Sequence, residues 1–250
     1  MLDALIFDIG DTLIHFDVSR PRAFLSAATE PAHQWLRERG ELLPGIGRYE
    51  RKIWWKFVRS FVWSRVTRRE ICLVVTMQAV HRRFGLALGD DELLAVMRRV
   101  APSLRPFFTV DAQAVSVARR LRARGFKLGL ISNTFFPGCV IDDVLAEEGL
   151  LDFFPVRVYS SDVRYMKPHA RIFRRALDLM DVAPERTMYI GDRLKNDVKG
   201  PARLGMKTAW MAGSKAVSER GVRPDHVVRC LGDVLPIVGA DSPNEPQPAS

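Results

Sequence analysis

The chain has 250 residues, of which 47% are hydrophobic and 27% charged, and its net charge is +9. That is the composition of an ordinary soluble globular protein, long enough for one large domain or two small ones. Three cysteines, odd in number and far apart, argue against a disulfide framework or a zinc site, and no apolar run approaches the ~20 residues of a spanning helix.

The first segment, Met1-Leu-Asp3, places no basic region before its apolar run, so no secretory signal is expected and a cytoplasmic location is. Cys72, Cys139 and Cys230 are then expected to be small buried hydrophobes. The apolar run from Ala4 to Phe7 stops at Asp8 and is followed by a glycine and a second carboxylate. It reads as a buried strand of a parallel sheet. Ligands of open α/β sheets bind beyond the carboxyl ends of the strands, where Asp8 would sit. A carboxylate there is costly unless it is paired or holds a metal, so Asp8 is either a functional group or a cap for the turn that follows.

Residues 20–105 read as helices separated by turn signals at 43–47 and 88–91, with no sustained strand alternation. The longest apolar run, Ile71 to Met77, reads as buried helix. Within 49–68, Trp54, Phe57, Val58 and Phe61 recur at helical spacing, with Arg51, Lys52, Lys56 and Arg59 among them. Such a helix binds a membrane or a partner in some proteins, but more often it packs into a small bundle. Helices are also expected over 70–84 and 91–100. Residues 15–105 hold 17 basic against 9 acidic side chains. That excess either steers anions toward a cleft or is solvated surface.

From Pro106 strand and helix alternate. Helices are expected at 111–124, with Asp111 as N-cap and Gly125 as stop, and at 139–148, 169–180, 196–204 and 234–238. Strands are expected at 126–131, 156–159, 187–190, 207–211 and 226–228. The tail 241–250, rich in Pro, Ser and Asn, is expected to be disordered. Several strands end in polar residues: Asp8, Ser132-Asn133 and Gly191-Asp192, with Lys167 after a fourth. Parallel strands would bring these ends to one edge of the sheet. Two carboxylates suit Mg²⁺, which is held by one or two carboxylates with phosphate oxygens and water. Lys167 and Ser132 are phosphate-binding types. A carboxylate can also attack phosphorus, giving an aspartyl-phosphate that water hydrolyses.

Four segments in order, Asp8-Ile-Gly-Asp-Thr-Leu13, Ile131-Ser-Asn-Thr134, Lys167-Pro168 and Gly191-Asp-Arg-Leu-Lys-Asn-Asp197, make the chain resemble the haloacid dehalogenase-like hydrolases. The resemblance implies a doubly wound, mainly parallel, Rossmann-like α/β core over 1–17 and 106–240, with an all-helical cap domain inserted at 18–105. It implies Asp8 as nucleophile and metal ligand. Thr12 and Ser132 would contact the phosphoryl group, Asn133 would shape that site, and Lys167 would balance charge. Asp192 would be a metal ligand, and Asp197 would orient Lys167 or hold the metal through water, unless it only caps a helix. Phosphatases of this family usually carry an aspartate two residues after the nucleophile, as general acid and base. Gly10 stands there in this chain. Its carbonyl still offers a metal ligand, and Asp11 is the neighbouring candidate for proton transfer.

The expected function is Mg²⁺-dependent hydrolysis of a small phosphorylated metabolite, slowed by the loss of that acid or carried by Asp11. Alternatives are a metal-independent 2-haloacid dehalogenase, which Asp192 argues against, and a non-enzymatic phosphate- or partner-binding protein. No nucleic-acid or membrane partner is expected. A homodimer through the cap is an open option.

Overall fold

The computed structural model describes residues 1–17, 19–67, 73–134, 136–213 and 221–240. Cys72, the first residues of the helix expected over 70–84 and the tail expected to be disordered lie outside the described residues.

The strand read at Ala4–Phe7 forms as β1, with every residue buried. Leu5 and Phe7 join one apolar cluster, and Ala4 and Ile6 join another. Both faces of the sheet are therefore covered, which is why the run is continuous rather than alternating. β2 (Ile14–Phe16) follows, and then four helices: α1 (Pro21–Glu38), α2 (Ile46–Thr67), α3 (Leu73–Arg82) and α4 (Asp90–Leu104). β3 (Phe108–Val110) returns antiparallel to β2, with Ile14 opposite Val110. This two-stranded ribbon, unforeseen in the sequence, ties together the two ends of the helical insertion.

The α/β alternation continues with α5 (Ala114–Ala123), β4 (Lys127–Ser132), α6 (Gly138–Glu147), β5 (Val156–Tyr159), the single turn α7 (Ser160–Val163) and α8 (Ala170–Met180). It closes with β6 (Thr187–Gly191), α9 (Lys199–Ala202), β7 (Lys207–Met211), β8 (His226–Val228) and α10 (Val234–Ile237). The main sheet runs β5-β4-β1-β6-β7-β8, and every pairing is parallel. The chain winds outward from β1 through β4 to β5, then returns to β6 on the other side of β1. The strand order thus reverses between β1 and β6, the place where such sheets open a crevice.

The helices α1–α4 pack around Leu36, Tyr49, Leu93, Val96 and Met97, and this cluster continues into Phe136 and Val140 at the start of α6. The insertion is thereby seated on the α/β unit through apolar contact. Among the described residues, no helix is long and apolar enough to cross a membrane.

Three expectations are corrected. Asp111 does not cap α5. Its Oδ1 accepts from the Gln113 N–H at 2.8 Å, a local turn that delays the helix to Ala114. The helix expected over 196–204 is instead a wide, π-type turn at Leu194–Val198 followed by the short α9. Cys139 and Cys230 are free but only half-buried.

Candidate active site

The strand register fixes where each polar terminus falls. Phe7 stands opposite Leu130 of β4 and Ile190 of β6. Asp8 is thus one step beyond β1, level with Gly191, and its N–H donates to the Ile190 carbonyl at 2.8 Å. Ser132 lies two residues past Leu130, and Asp192 one past Gly191. All three emerge at the same edge, beside the switch point.

Lys167 reaches this edge from the segment between β5 and α8. The residue is 3% exposed, and its ammonium lies 2.8 Å from Asp8 Oδ1 and 2.7 Å from Asp197 Oδ1. It also donates to the Tyr189 hydroxyl at 2.9 Å, and that hydroxyl donates to the Ile131 carbonyl at 3.0 Å. The ammonium thus has three oxygen neighbours, two of them anionic, and a buried lysine needs such company. Its backbone is held as well: Lys167 N–H donates to Asn133 Oδ1 at 2.7 Å, and Asn133 Nδ2 donates to the Lys167 carbonyl at 3.1 Å. Both ends of the Asn133 amide are therefore spent on positioning Lys167.

Asp197 is fully buried and is placed by the wide turn. Its Oδ2 accepts from the Arg193 N–H at 2.9 Å while Oδ1 meets Lys167. Asp197 therefore faces Lys167 and closes the turn back to Arg193 at once; it lies inside the wide turn rather than capping a helix. Gly191 makes room for it, since a Cβ there would lie 2.6 Å from the Asp197 side chain. On the neighbouring strand the Trp210 indole donates to the Asp192 carbonyl at 2.8 Å, fixing that end of β6.

Asp8, Asp192 and Asp197 each offer an oxygen within 4.8 Å of the others. Three carboxylates share one ammonium, so the cluster carries excess negative charge. Burial, reinforced by Asp197 and Asp192 and opposed by Lys167, raises the Asp8 carboxyl to about 7. Burial, and then Asp197, raises Asp192 to about 6. Burial alone would lower Lys167, but Asp197 and Asp8 together hold its pKa above the ordinary value. Asp192 Oδ1 and Thr12 Oγ1 are buried with no hydrogen-bond partner among the described residues. Unsatisfied buried oxygens cost about 1–3 kcal/mol each. An orphaned carboxylate oxygen beside two more carboxylates fits a hard divalent cation. The orphaned Thr12 hydroxyl, on the loop after β1, fits an anion's oxygen.

The loop after Asp8 is closed by the Leu13 and Ile14 N–H groups, each donating to the Ile9 carbonyl at 2.9 Å. Asp8 Oδ1 accepts from the Ile9 N–H at 2.7 Å while the same oxygen faces Lys167. Asp11 adopts a left-handed φ of 55° and donates its N–H to the Ile14 carbonyl at 2.8 Å. It lies near enough to Asp192 to help raise that carboxyl. Gly10 packs under β2, and a Cβ on it would lie 3.3 Å from Cε2 of Phe16.

The structure therefore brings Asp8, Lys167, Asp192 and Asp197 into one cluster, with Asp11 close by. Asn133 stands behind Lys167 rather than in direct contact with the carboxylates. Tyr189 was missed from the sequence. Its only signal there is a polar-tipped side chain inside an otherwise apolar strand.

A doubly wound parallel sheet with carboxylates and a buried lysine at its switch point defines an α/β protein built around a polar crevice. The chain belongs to the haloacid dehalogenase-like hydrolases, whose family model matches residues 2–205. Among curated relatives, it is 32% identical over 241 residues to pyrophosphatase PpaX of Bacillus mycoides, covering 95% of this chain and 97% of the relative. It is 29% identical over 242 residues to a glyceraldehyde 3-phosphate phosphatase of Methanothermobacter thermautotrophicus, covering 95% and 96%. Of solved structures, a phosphatase of this family from Thermococcus onnurineus superposes with a TM-score of 0.62 at 22% identity, over 96% of this chain and 99% of that one. A 2-haloacid dehalogenase from Pseudomonas syringae superposes with a TM-score of 0.65 at 18% identity, over 97% and 100%. Both share the fold.

Proposed function

We propose that this protein is a Mg²⁺-dependent phosphatase that removes a phosphoryl group from a small metabolite through an aspartyl-phosphate on Asp8. The observation that carries this reading is the Lys167 ammonium held between Asp8 and Asp197, with Asp192 completing a three-carboxylate cluster. The names of the two curated relatives share a transferable phosphoryl group and differ in what it leaves.

Asp8 Oδ1 is committed to Lys167 and the Ile9 N–H, which leaves Oδ2 to attack phosphorus. As that bond forms, the bond from phosphorus to the leaving group breaks and the leaving group takes a proton. Water then attacks the same phosphorus, releasing phosphate and restoring Asp8. Lys167 opposes the burial that raises the Asp8 carboxyl, and its positive charge attracts the phosphoryl group. The Thr12 and Ser132 hydroxyls donate to the other phosphoryl oxygens. Asp8, Asp192 and the Gly10 carbonyl would hold Mg²⁺, with Asp197 behind them. The cation would supply positive charge where phosphoryl transfer develops negative charge. Asp11, close enough to Asp192 to raise its carboxyl, is assigned the leaving group's proton.

The test is hydrolysis of p-nitrophenyl phosphate and of pyrophosphate, with and without Mg²⁺, by wild type and Asp8→Asn. We expect turnover only with Mg²⁺, and a loss of roughly 10³-fold or more in the variant. Equal rates in the two proteins remove the reading. Chloride release from a 2-haloacid without metal would establish the dehalogenase alternative, against which Asp192 stands. Phosphate binding without turnover of any ester or anhydride would establish a binding protein.

A further inference from the structure

We propose that the outward face of α2 is an adsorption surface for an anionic lipid bilayer. Of the nine large apolar side chains left exposed among the described residues, five lie between residues 42 and 63: Leu42, Ile46, Trp54, Trp55 and Trp63. α2 itself is amphipathic in an unusual sense. One side is apolar and packed, with Tyr49 fully buried and Ile53 nearly so in the cluster of the insertion. The opposite side is basic and aromatic rather than simply polar.

Arg48, Lys52, Trp55, Arg59 and Trp63 recur at intervals of three or four, so they share one stripe about 22 Å long. Trp55 is 59% and Trp63 66% exposed. Arg51 and Trp54 flank the stripe, and both are exposed. The lone carboxylate of the helix, Glu50, is turned inward, accepting from Ser26 and Thr29 of α1 at 3.1 Å each. Among the described residues, none of Arg48, Arg51, Lys52 and Arg59 has a carboxylate within ion-pair distance.

The charge pattern selects the occupant. A second copy docked by this stripe about a two-fold axis would set like charges against each other, which disfavours the homodimer. An anionic surface is attracted to every one of these cations. The stripe is also the convex outside of a long helix, which suits a flat surface rather than a strand cradled in a groove. Indole rings settle at the headgroup level of a bilayer, and arginine and lysine extend to lipid phosphates around them. The helix would thus lie on the membrane without crossing it. This departs from the expectation, drawn from the sequence, that no membrane is involved. It is independent of the phosphatase reading.

The experiment is co-sedimentation of the full chain with vesicles of phosphatidylcholine alone and of phosphatidylcholine with phosphatidylglycerol, with tryptophan emission followed in parallel. We expect binding to the anionic vesicles only, a blue shift of emission, and release as salt is raised. Each cation near such a surface is worth about a fivefold change in affinity. The triple variant Arg48→Gln, Lys52→Gln, Arg59→Gln should therefore bind on the order of a hundredfold more weakly. The double variant Trp55→Ser, Trp63→Ser should show a smaller blue shift, Trp54 being left in place, and bind more weakly. Hydrolysis of p-nitrophenyl phosphate and the thermal midpoint serve as checks that the variants are folded.

A control removes the same charge elsewhere through Arg119→Gln, Arg174→Gln and Arg175→Gln, all exposed on α5 and α8. Equal loss in the control would show bulk charge at work and overturn the proposal. So would a failure to bind anionic vesicles at low salt. So, too, would equal binding to neutral vesicles, a dimer dissolved by the triple variant, or binding of the stripe to an oligonucleotide but not to vesicles.

Discussion

Gly10 sets the chemistry of the site against its packing. General acid–base help is worth typically ~10²–10⁴-fold, and the usual aspartate is absent here. An aspartate at this position would press on Phe16, whose ring lies 3.3 Å from the new Cβ. That ring rests edge-on against Phe108, with centroids 5.0 Å apart, and is partly exposed, so it can be removed without hollowing a core. We expect Gly10→Asp combined with Phe16→Ala to raise turnover of an alkyl phosphate by tenfold or more, and Gly10→Asp alone to gain less. No gain in a folded double variant would show that proton transfer does not limit the rate. The companion prediction concerns Asp11, whose left-handed φ of 55° an asparagine tolerates. If Asp11 carries the proton, Asp11→Asn lowers kcat by at least a hundredfold while the Mg²⁺ concentration for half-maximal rate stays nearly fixed. A variant as active as wild type removes that role. Asp8 and Asp192 were legible in the sequence because each ends an apolar run, and Lys167 because the Lys167-Pro168 pair is one of the four segments of the family resemblance. Tyr189 was not, because tyrosine is ordinary in strands. Its contact with Lys167 arises only when β6 is set beside β1 with Tyr189 opposite Ile6.

At the level of the elements, β5, β7 and β8 fall where the sequence places them, since short apolar runs between turn residues leave little freedom. The β2–β3 ribbon was hidden because its partners are three residues each and stand on either side of the whole helical insertion. The turn carrying Asp197 was read as a helix because its apolar spacing is helical. It is wide instead, and Asp197 within it meets Lys167 and the Arg193 N–H. In the insertion, His81 on α3 is fully buried and its Nε2 shares a 2.9 Å hydrogen bond with the Tyr49 hydroxyl. Burial lowers its pKa from 6.5 to about 4. The unfolded chain therefore takes up a proton before the folded one does. Stability from this group is present above about pH 6.5 and is lost as pH falls toward 4, by about 3 kcal/mol in all. Urea titrations read by tryptophan emission suit this test, because Trp35, Trp54, Trp55 and Trp63 all lie in α1 and α2. His81→Gln stays neutral at every pH and should flatten that loss relative to wild type. Identical acid limbs would assign the loss to another group.

Across the whole molecule, the fold holds together a site that electrostatics alone would push apart. Two buried carboxylates and a half-buried one against one ammonium are tolerable when protons or a cation relieve them. Burial, with Asp197 adding to it, raises the Asp192 carboxyl to about 6, and burial raises Asp8 to about 7. For an acid with a raised folded pKa, the folded state holds its proton more tightly than the unfolded chain. That stabilisation is full below about pH 4 and is lost as pH rises through 6 to 7. The metal-free protein should therefore be less stable at pH 8 than at pH 5.5. Mg²⁺, binding only where the carboxylates are gathered and ionised, should restore stability at pH 8 and do little at pH 5.5. Asp192→Asn separates this from a general salt effect. Removing one charge should raise metal-free stability at pH 8 by on the order of 2 kcal/mol while abolishing the Mg²⁺ response. Urea midpoints at the two pH values, with and without MgCl₂, measure both. An Asp192→Asn protein that loses stability at pH 8, or still responds to Mg²⁺ as wild type does, would mean that Asp192 is a structural carboxylate. The excess charge at the strand ends would then have to be relieved by something other than a metal at that residue.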